Sequence, residues 1–71
     1  MTPRQSEILQ FVNKFWVENN YSPSLEEIRQ GLNIKSLTSV AQCCNSLQQR
    51  GYITKFKHAR RSIEITDKGR M

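Results

Sequence analysis

Side chains that both donate and accept hydrogen bonds recur along one side of the segment SLTSVAQCCNSLQQR, residues 36–50. At about 100° per residue, one face of a helix would carry Thr38, Gln42, Asn45 and Gln49. The opposite face would carry Val40, Cys44, Leu47 and, at its margin, Leu37. Amide side chains can pair with adenine through two hydrogen bonds, and hydroxyls can meet either kind of base edge or the thymine methyl. The pattern predicts a helix that reads DNA bases, the alternative being an ordinary polar solvent face.

Positive charge is concentrated around that segment. The chain carries 11 Lys and Arg and 6 Asp and Glu, which gives a formal net charge of +5. Residues 35–71 contain eight of the basic residues and only two of the acidic ones. Cations beside a base-reading helix would bind phosphates and supply affinity and register. If about five phosphates are neutralised, affinity falls by roughly two to three decades between 50 and 200 mM salt. The expected phosphate contacts are Lys35, Arg50, Lys55, Lys57, His58, Arg60 and Arg61.

Capping residues divide the first half of the chain into two helices. Thr2, followed by proline, begins a helix that is expected to run to about Glu18. Its apolar stripe would comprise Ile8, Leu9, Val12, Phe15 and Trp16. A capping box at residues 24–27 begins a second helix, and Gly31 is expected to end it in the left-handed conformation. These two helices would supply the apolar faces on which the third packs.

The second half of the chain changes from a helical to a strand period. Ser36 caps the third helix and Gly51 closes it. Residues 52–56 and 62–66 are rich in β-branched and aromatic residues, which predicts two strands around a basic loop. The predicted fold is mainly α with a small β-hairpin, a winged helix-turn-helix over residues 1–66. Residues 67–71 are expected to form a frayed C-terminal tail.

Composition argues against several other classes of protein. Seventy-one residues allow one domain, and the sequence has neither a membrane-spanning apolar run nor a signal region, so we expect a soluble cytoplasmic protein, bacterial or phage-encoded. No acidic pair or metal-ligand spacing accompanies the one histidine, so no enzyme activity, cofactor, metal or small-molecule ligand is expected. A metal or redox sensor built on Cys43, Cys44 and His58 is a weaker alternative, because adjacent thiols chelate poorly and Cys44 would face the core.

Four stretches of the chain follow one family's pattern in order. They are TPRQSEIL at residues 2–9, YSPSLEEI at residues 21–28, LQQRGYI at residues 47–53 after the third helix, and RSIEI at residues 61–65. They are similar to T-x-R-Q-x-E-[IV]-[LF], Y-x-P-[ST]-x-[RE]-E-I, L-x-x-[KR]-G-[YVL]-I and R-[GA]-I-x-[IL]. Together they resemble the N-terminal DNA-binding domain of LexA-type repressors over nearly the whole chain.

The resemblance implies a winged helix-turn-helix whose third helix enters the major groove of double-stranded DNA. By position it places base contacts at Ser36, Thr38, Ser39, Ala41 and Gln42, to which the helical wheel adds Asn45. It places the loop at residues 57–61 along the backbone or in the minor groove, with a different shape, because the family's usual glycine is missing there. The implied function is transcriptional regulation as a repressor.

The number of domains and partners also follows from the resemblance. LexA-type repressors continue into a second domain that dimerises and cleaves its own linker with a Ser–Lys pair. We expect no self-cleavage by these 71 residues, which would be an excised domain or a short free-standing regulator. Because a lone module buries only about 600–1,000 Å² on DNA, two copies are expected on a palindromic site. The competing interpretation is a winged helix for protein contacts, favoured by an exposed Phe56, or for nucleic acid without sequence preference.

Overall fold

Three helices followed by a two-stranded hairpin make up the fold. The computed structural model describes residues 2–55 and 63–70. Its elements, in chain order, are α1 (Pro3–Asn19), α2 (Leu25–Gly31), α3 (Leu37–Gln49), β1 (Ile53–Lys55), β2 (Ile63–Ile65) and a 3-10 helix (Lys68–Arg70). The predicted order of elements and the winged helix-turn-helix class are confirmed. Among the described residues, no helix is long and apolar enough to cross a membrane.

Side-chain caps begin all three helices, as the sequence predicts. The Thr2 hydroxyl accepts a hydrogen bond from the Gln5 amide at 3.2 Å. The Ser24 hydroxyl accepts from the Glu27 amide at 3.2 Å, and the Glu27 carboxylate accepts from the Ser24 amide at 2.9 Å, which completes the capping box. Ser36 accepts from the amide three residues on, at 3.4 Å. Each cap satisfies an N–H group that the first turn of a helix leaves without an intrahelical partner.

Gly31 ends α2 for a different reason from the one expected. The left-handed residue after α2 is Asn33, with φ 55°, whereas Gly31 is the last residue of the helix itself. A Cβ atom on Gly31 would overlap the ring of Phe11 in α1. Glycine therefore lets the Phe11 ring lie directly against α2, and a larger residue would require that ring to move. Gly51, with φ 83°, does follow α3 in the left-handed region as predicted.

The hydrophobic core lies where the three helices meet the hairpin. Its buried side chains are Ile8, Leu9, Val12, Ile28, Ile34, Val40, Cys44, Leu47, Ile53 and Ile63. From the stripe predicted for α1, Phe15 and Trp16 are only half-buried. One side of α3 packs against α1, α2 and β1, and its other side faces solvent.

The hairpin is hydrogen-bonded to α1 and to the loop that follows α1. The two strands are antiparallel, with Lys55 opposite Ile63. The Trp16 indole N–H donates to the carbonyl of Ile63 at 2.8 Å, and the Ile63 amide donates to Ser22 Oγ at 2.9 Å. Ser22, which is 2% exposed, in turn donates to the Pro23 carbonyl at 2.8 Å. The base of the wing is therefore fixed relative to α1.

The residues after β2 turn back onto the end of α3. In place of the frayed tail expected at residues 67–71, Lys68–Arg70 form a 3-10 helix. The Lys68 ammonium donates to the carbonyl of Arg50 at 2.8 Å and lies 4.8 Å from the centroid of the Tyr52 ring. Such a cation over an aromatic face is attracted to it. The prediction of fraying is therefore wrong for these three residues.

Candidate nucleic-acid interface

The helix α3 presents an uncharged polar face to solvent. Val40, Cys44 and Leu47 are fully buried, which confirms the inward face predicted from the helical wheel. The exposed polar side chains on its other side are Thr38, Ser39, Gln42, Asn45 and Gln49. No charged residue occurs between Lys35 and Arg50. This face can therefore offer hydrogen-bond donors and acceptors without carrying a net charge of its own.

The N-terminal part of α3 differs from the expectation at Leu37. Lys35 and Ser36 are exposed, as a DNA-contacting helix start requires. Leu37 was expected to pack inward, but it is 44% exposed, because it is the first helical residue and lies a turn before the first buried one. Ala41 is half-buried at the margin of the polar face. Leu37 is therefore an apolar surface that the sequence analysis missed, and Ala41 offers less surface than its neighbours.

The turn between α2 and α3 is held by a guanidinium group. Arg29 donates from Nε to both carboxylate oxygens of Glu26 at 3.0 Å and from Nη1 to the carbonyl of Ile34 at 3.3 Å. The hydrogen bonds from Arg29 hold the pKa of the Glu26 carboxyl below its usual range. The backbone closes the same turn, because the Ile34 amide donates to the Arg29 carbonyl at 2.9 Å. The turn that joins the two helices is therefore closed by hydrogen bonds between residues that are close in the sequence.

The first strand of the hairpin brings a cation to the polar face of α3. The Lys55 Nζ atom lies 3.5 Å from Asn45 Oδ1, a long hydrogen bond between an expected phosphate contact and an expected base contact. Lys55 is half-buried and Asn45 is exposed. The helix and the hairpin thus share one polar surface, and no local sequence signal indicates that these two side chains meet.

The other expected phosphate-binding residues fall into two groups. Arg50 is exposed at the C-terminal end of α3, and Lys35 is exposed at its N-terminal end. These two cations therefore flank the polar face along the helix axis. The remaining members of the predicted set lie outside the described residues, and they are Lys57, His58, Arg60 and Arg61.

The adjacent cysteines differ in environment. Cys44 is fully buried, and burial raises the pKa of its thiol to about 11, so the thiol stays protonated at neutral pH. Cys43 is half-buried, and both thiols are free. His58, the third member of the alternative sensor site, lies outside the described residues. A protonated, fully packed thiol is a poor metal ligand, so Cys44 serves as a core residue.

Comparison with known proteins relates the chain to one family. The family model for the LexA DNA binding domain matches residues 1–62. The LexA repressor of Syntrophobacter fumaroxidans is 41% identical over 66 residues, and that of Pelagibacter ubique is 34% identical over 65. Each match covers 92% of this chain but 32% and 29% of those relatives, so the chain spans about a third of their length. A solved structure of a hypothetical protein has the same fold, with a TM-score of 0.84 and 24% identity over 97% of this chain and 21% of that one.

Proposed function

Because this chain belongs to the LexA DNA binding domain family, we propose that it binds double-stranded DNA sequence-specifically and acts as a transcriptional repressor. The observation that carries the proposal is the solvent side of α3, which is exposed, polar and uncharged between Lys35 and Arg50. Carboxylates on this face would repel phosphates, and many cations would bind DNA of any sequence. A neutral face flanked by cations instead separates base recognition from phosphate binding.

The proposed complex has α3 in the major groove. That groove is about 12 Å wide and admits one helix, whose first turns must approach the base edges closely. Small side chains in those turns permit the approach, and the amides beyond Ser36 can bind a phosphate. The proposed base contacts are Ser36, Thr38, Ser39, Ala41, Gln42 and Asn45.

The proposed phosphate contacts surround that helix. They are Lys35 and Arg50 at its ends, Lys55 on β1, and Lys57, His58, Arg60 and Arg61 in the loop of the wing. The wing would follow the DNA backbone or reach the minor groove. Two copies would bind the halves of a palindromic operator, because operator symmetry mirrors the symmetry of a protein pair. We place this role in the cytoplasm and assign no catalytic step to it.

Selection from a random duplex pool, followed by titration at 50 and 200 mM salt, tests the proposal. The parent protein should select a defined sequence, and its affinity for that sequence should fall steeply with salt. Gln42→Ala should flatten the preference at one base position while the slope of affinity against salt stays the same. Gln48→Ala is the matched control, because Gln48 is an exposed glutamine of the same helix about 120° around from Gln42.

The same titration separates the competing functions. Equal and salt-sensitive binding to every duplex would replace the proposal with nucleic-acid binding without sequence preference. No binding to any duplex, even at low salt, would leave a role in protein contacts. A Gln42→Ala profile identical to that of the parent would contradict the proposed orientation of α3.

A further inference from the structure

We propose that Lys55 and Asn45 act together as one reader of guanine, in which the lysine turns the asparagine oxygen away from the base. The inference rests on the proposed function and deepens it at one position of the interface. An isolated asparagine would instead be expected to pair with adenine. The observation that changes the expectation is the contact between Lys55 Nζ and Asn45 Oδ1, at 3.5 Å.

The chemistry of the two groups decides how the asparagine points. An ammonium group has three donors and no acceptor, so only the oxygen of the carboxamide can face it. With Oδ1 facing Lys55, the Nδ2 group of Asn45 lies on the other branch of the carboxamide. Asn45 is exposed on the polar face of α3, so this N–H group is available to a ligand. The pair then presents N–H groups from both residues and keeps its acceptor occupied.

Lys55 is held in place by the fold. Its side chain is half-buried, and its backbone pairs with Ile63 across the hairpin. Ile63 is in turn held from its other side by Trp16, at 2.8 Å, and by Ser22, at 2.9 Å. The strand residue opposite Lys55 is therefore hydrogen-bonded to α1 through Trp16 and to the loop after α1 through Ser22. The lysine stem consequently emerges beside α3 from a fixed backbone, as a positioning residue requires.

The base edges in the major groove distinguish this pair from a lone asparagine. Guanine presents two adjacent acceptors, O6 and N7, whereas adenine presents an acceptor at N7 and a donor at N6. A surface that carries only donors matches both guanine atoms. Against adenine it would leave the N6 amino group facing N–H groups and unpaired. We therefore expect about a tenfold preference for guanine over adenine at the position that Asn45 reads.

Selection from a random duplex pool with matched variants tests the inference. Asn45→Ala identifies the position, because the preference there should flatten. Lys55→Met keeps an apolar stem but removes the charge and the donors, so the preference should shift from guanine toward adenine by about tenfold. Lys55→Arg keeps N–H donors at this position and should retain the preference for guanine. Lys35→Met removes an exposed cation from the helix start and should weaken binding at all sequences without changing that position.

Several results would overturn the inference while leaving the proposed function intact. One is a parent protein that selects adenine at the Asn45 position. Another is a Lys55→Met protein that binds more weakly, with a shallower salt slope, but keeps the guanine preference, since Lys55 would then bind only phosphate. Adding Lys55→Met to Asn45→Ala should cause no further change at that position, and an additional change would show that the lysine reads the base alone. A parent protein with no sequence preference would instead contradict the proposed function itself.

Discussion

Replacing Ser22 with alanine should destabilise the domain far more than the loss of one surface hydroxyl would. Ser22 is 2% exposed, accepts from the Ile63 amide at 2.9 Å and donates to the Pro23 carbonyl at 2.8 Å. Alanine would leave the Ile63 N–H group, which faces away from β1, without this acceptor. A buried donor left without its partner costs about 1–3 kcal/mol. We expect the free energy of unfolding to fall by about 2 kcal/mol.

That loss is large for a chain of this length. A domain of this length has a total stability of about 4–10 kcal/mol. A change of about 2 kcal/mol should lower the melting temperature by roughly 8–16 °C. Urea unfolding gives the free energy directly, and hydrogen exchange reports on the Ile63 amide itself, which should exchange faster in the Ser22→Ala protein.

A matched serine provides the control. Ser6 lies within α1, and its hydroxyl accepts from the Gln10 side chain at 3.4 Å in an exposed position. Ser6→Ala should change the free energy of unfolding by less than about 0.5 kcal/mol, because alanine is also the better helix former. A Ser22→Ala protein that is as stable as Ser6→Ala, with an equally protected Ile63 amide, would show that Ser22 does not hold the wing.

Two further predictions concern the contact between α1 and α2 and the buried thiol of α3. Gly31→Ala should destabilise the domain by up to about 1 kcal/mol, because the added methyl displaces the Phe11 ring. In a Phe11→Leu background the same change should be neutral or stabilising, because alanine is the better helix former, and thermal unfolding measures both effects. Burial raises the pKa of the Cys44 thiol from 9.0 to about 11, so the folded state disfavours the thiolate. The contribution of this group to the free energy of unfolding should be fully present below about pH 9 and should be lost as the pH rises toward 11. Between pH 8 and about pH 10.5 the free energy of unfolding should fall by about 2 kcal/mol more in the parent than in Cys44→Ala. Equal decreases in the two proteins would contradict this prediction.

Features set by neighbouring residues could be predicted from the sequence. The three helix caps are decided within four residues, so Thr2, Ser24 and Ser36 were placed correctly. The helical period likewise placed Val40 and its neighbours in the core. The same period wrongly indicated burial for Leu37, which is 44% exposed. The period gives the direction of a side chain around its own helix, but it does not show where the neighbouring elements stop covering that helix.

Features that depend on distant residues were missed for a physical reason. The Ile63 amide donates to Ser22 and the Trp16 indole donates to the Ile63 carbonyl, across 41 and 47 positions of the sequence. No spacing of serine or tryptophan in the sequence marks such a partner. Gly31 gave a correct helix end for the wrong reason, because the ring it accommodates belongs to another helix. The contact between Lys55 and Asn45 depends in the same way on how the hairpin crosses α3.

The positions of these missed contacts link stability to recognition. If Lys55 determines how Asn45 meets a base, the hydrogen bonds that hold Ile63 also determine which base is favoured, although Ser22 and Trp16 are outside the proposed set of DNA contacts. A long, flexible lysine on an unanchored strand would sample many positions and would orient the asparagine poorly. Burial of Ile53 and Ile63 holds the strands in the core, but a chain of this size buries only about 60% of the surface that its unfolded form exposes. Polar anchors at the base of the hairpin therefore add to the rigidity that the proposed guanine reader requires.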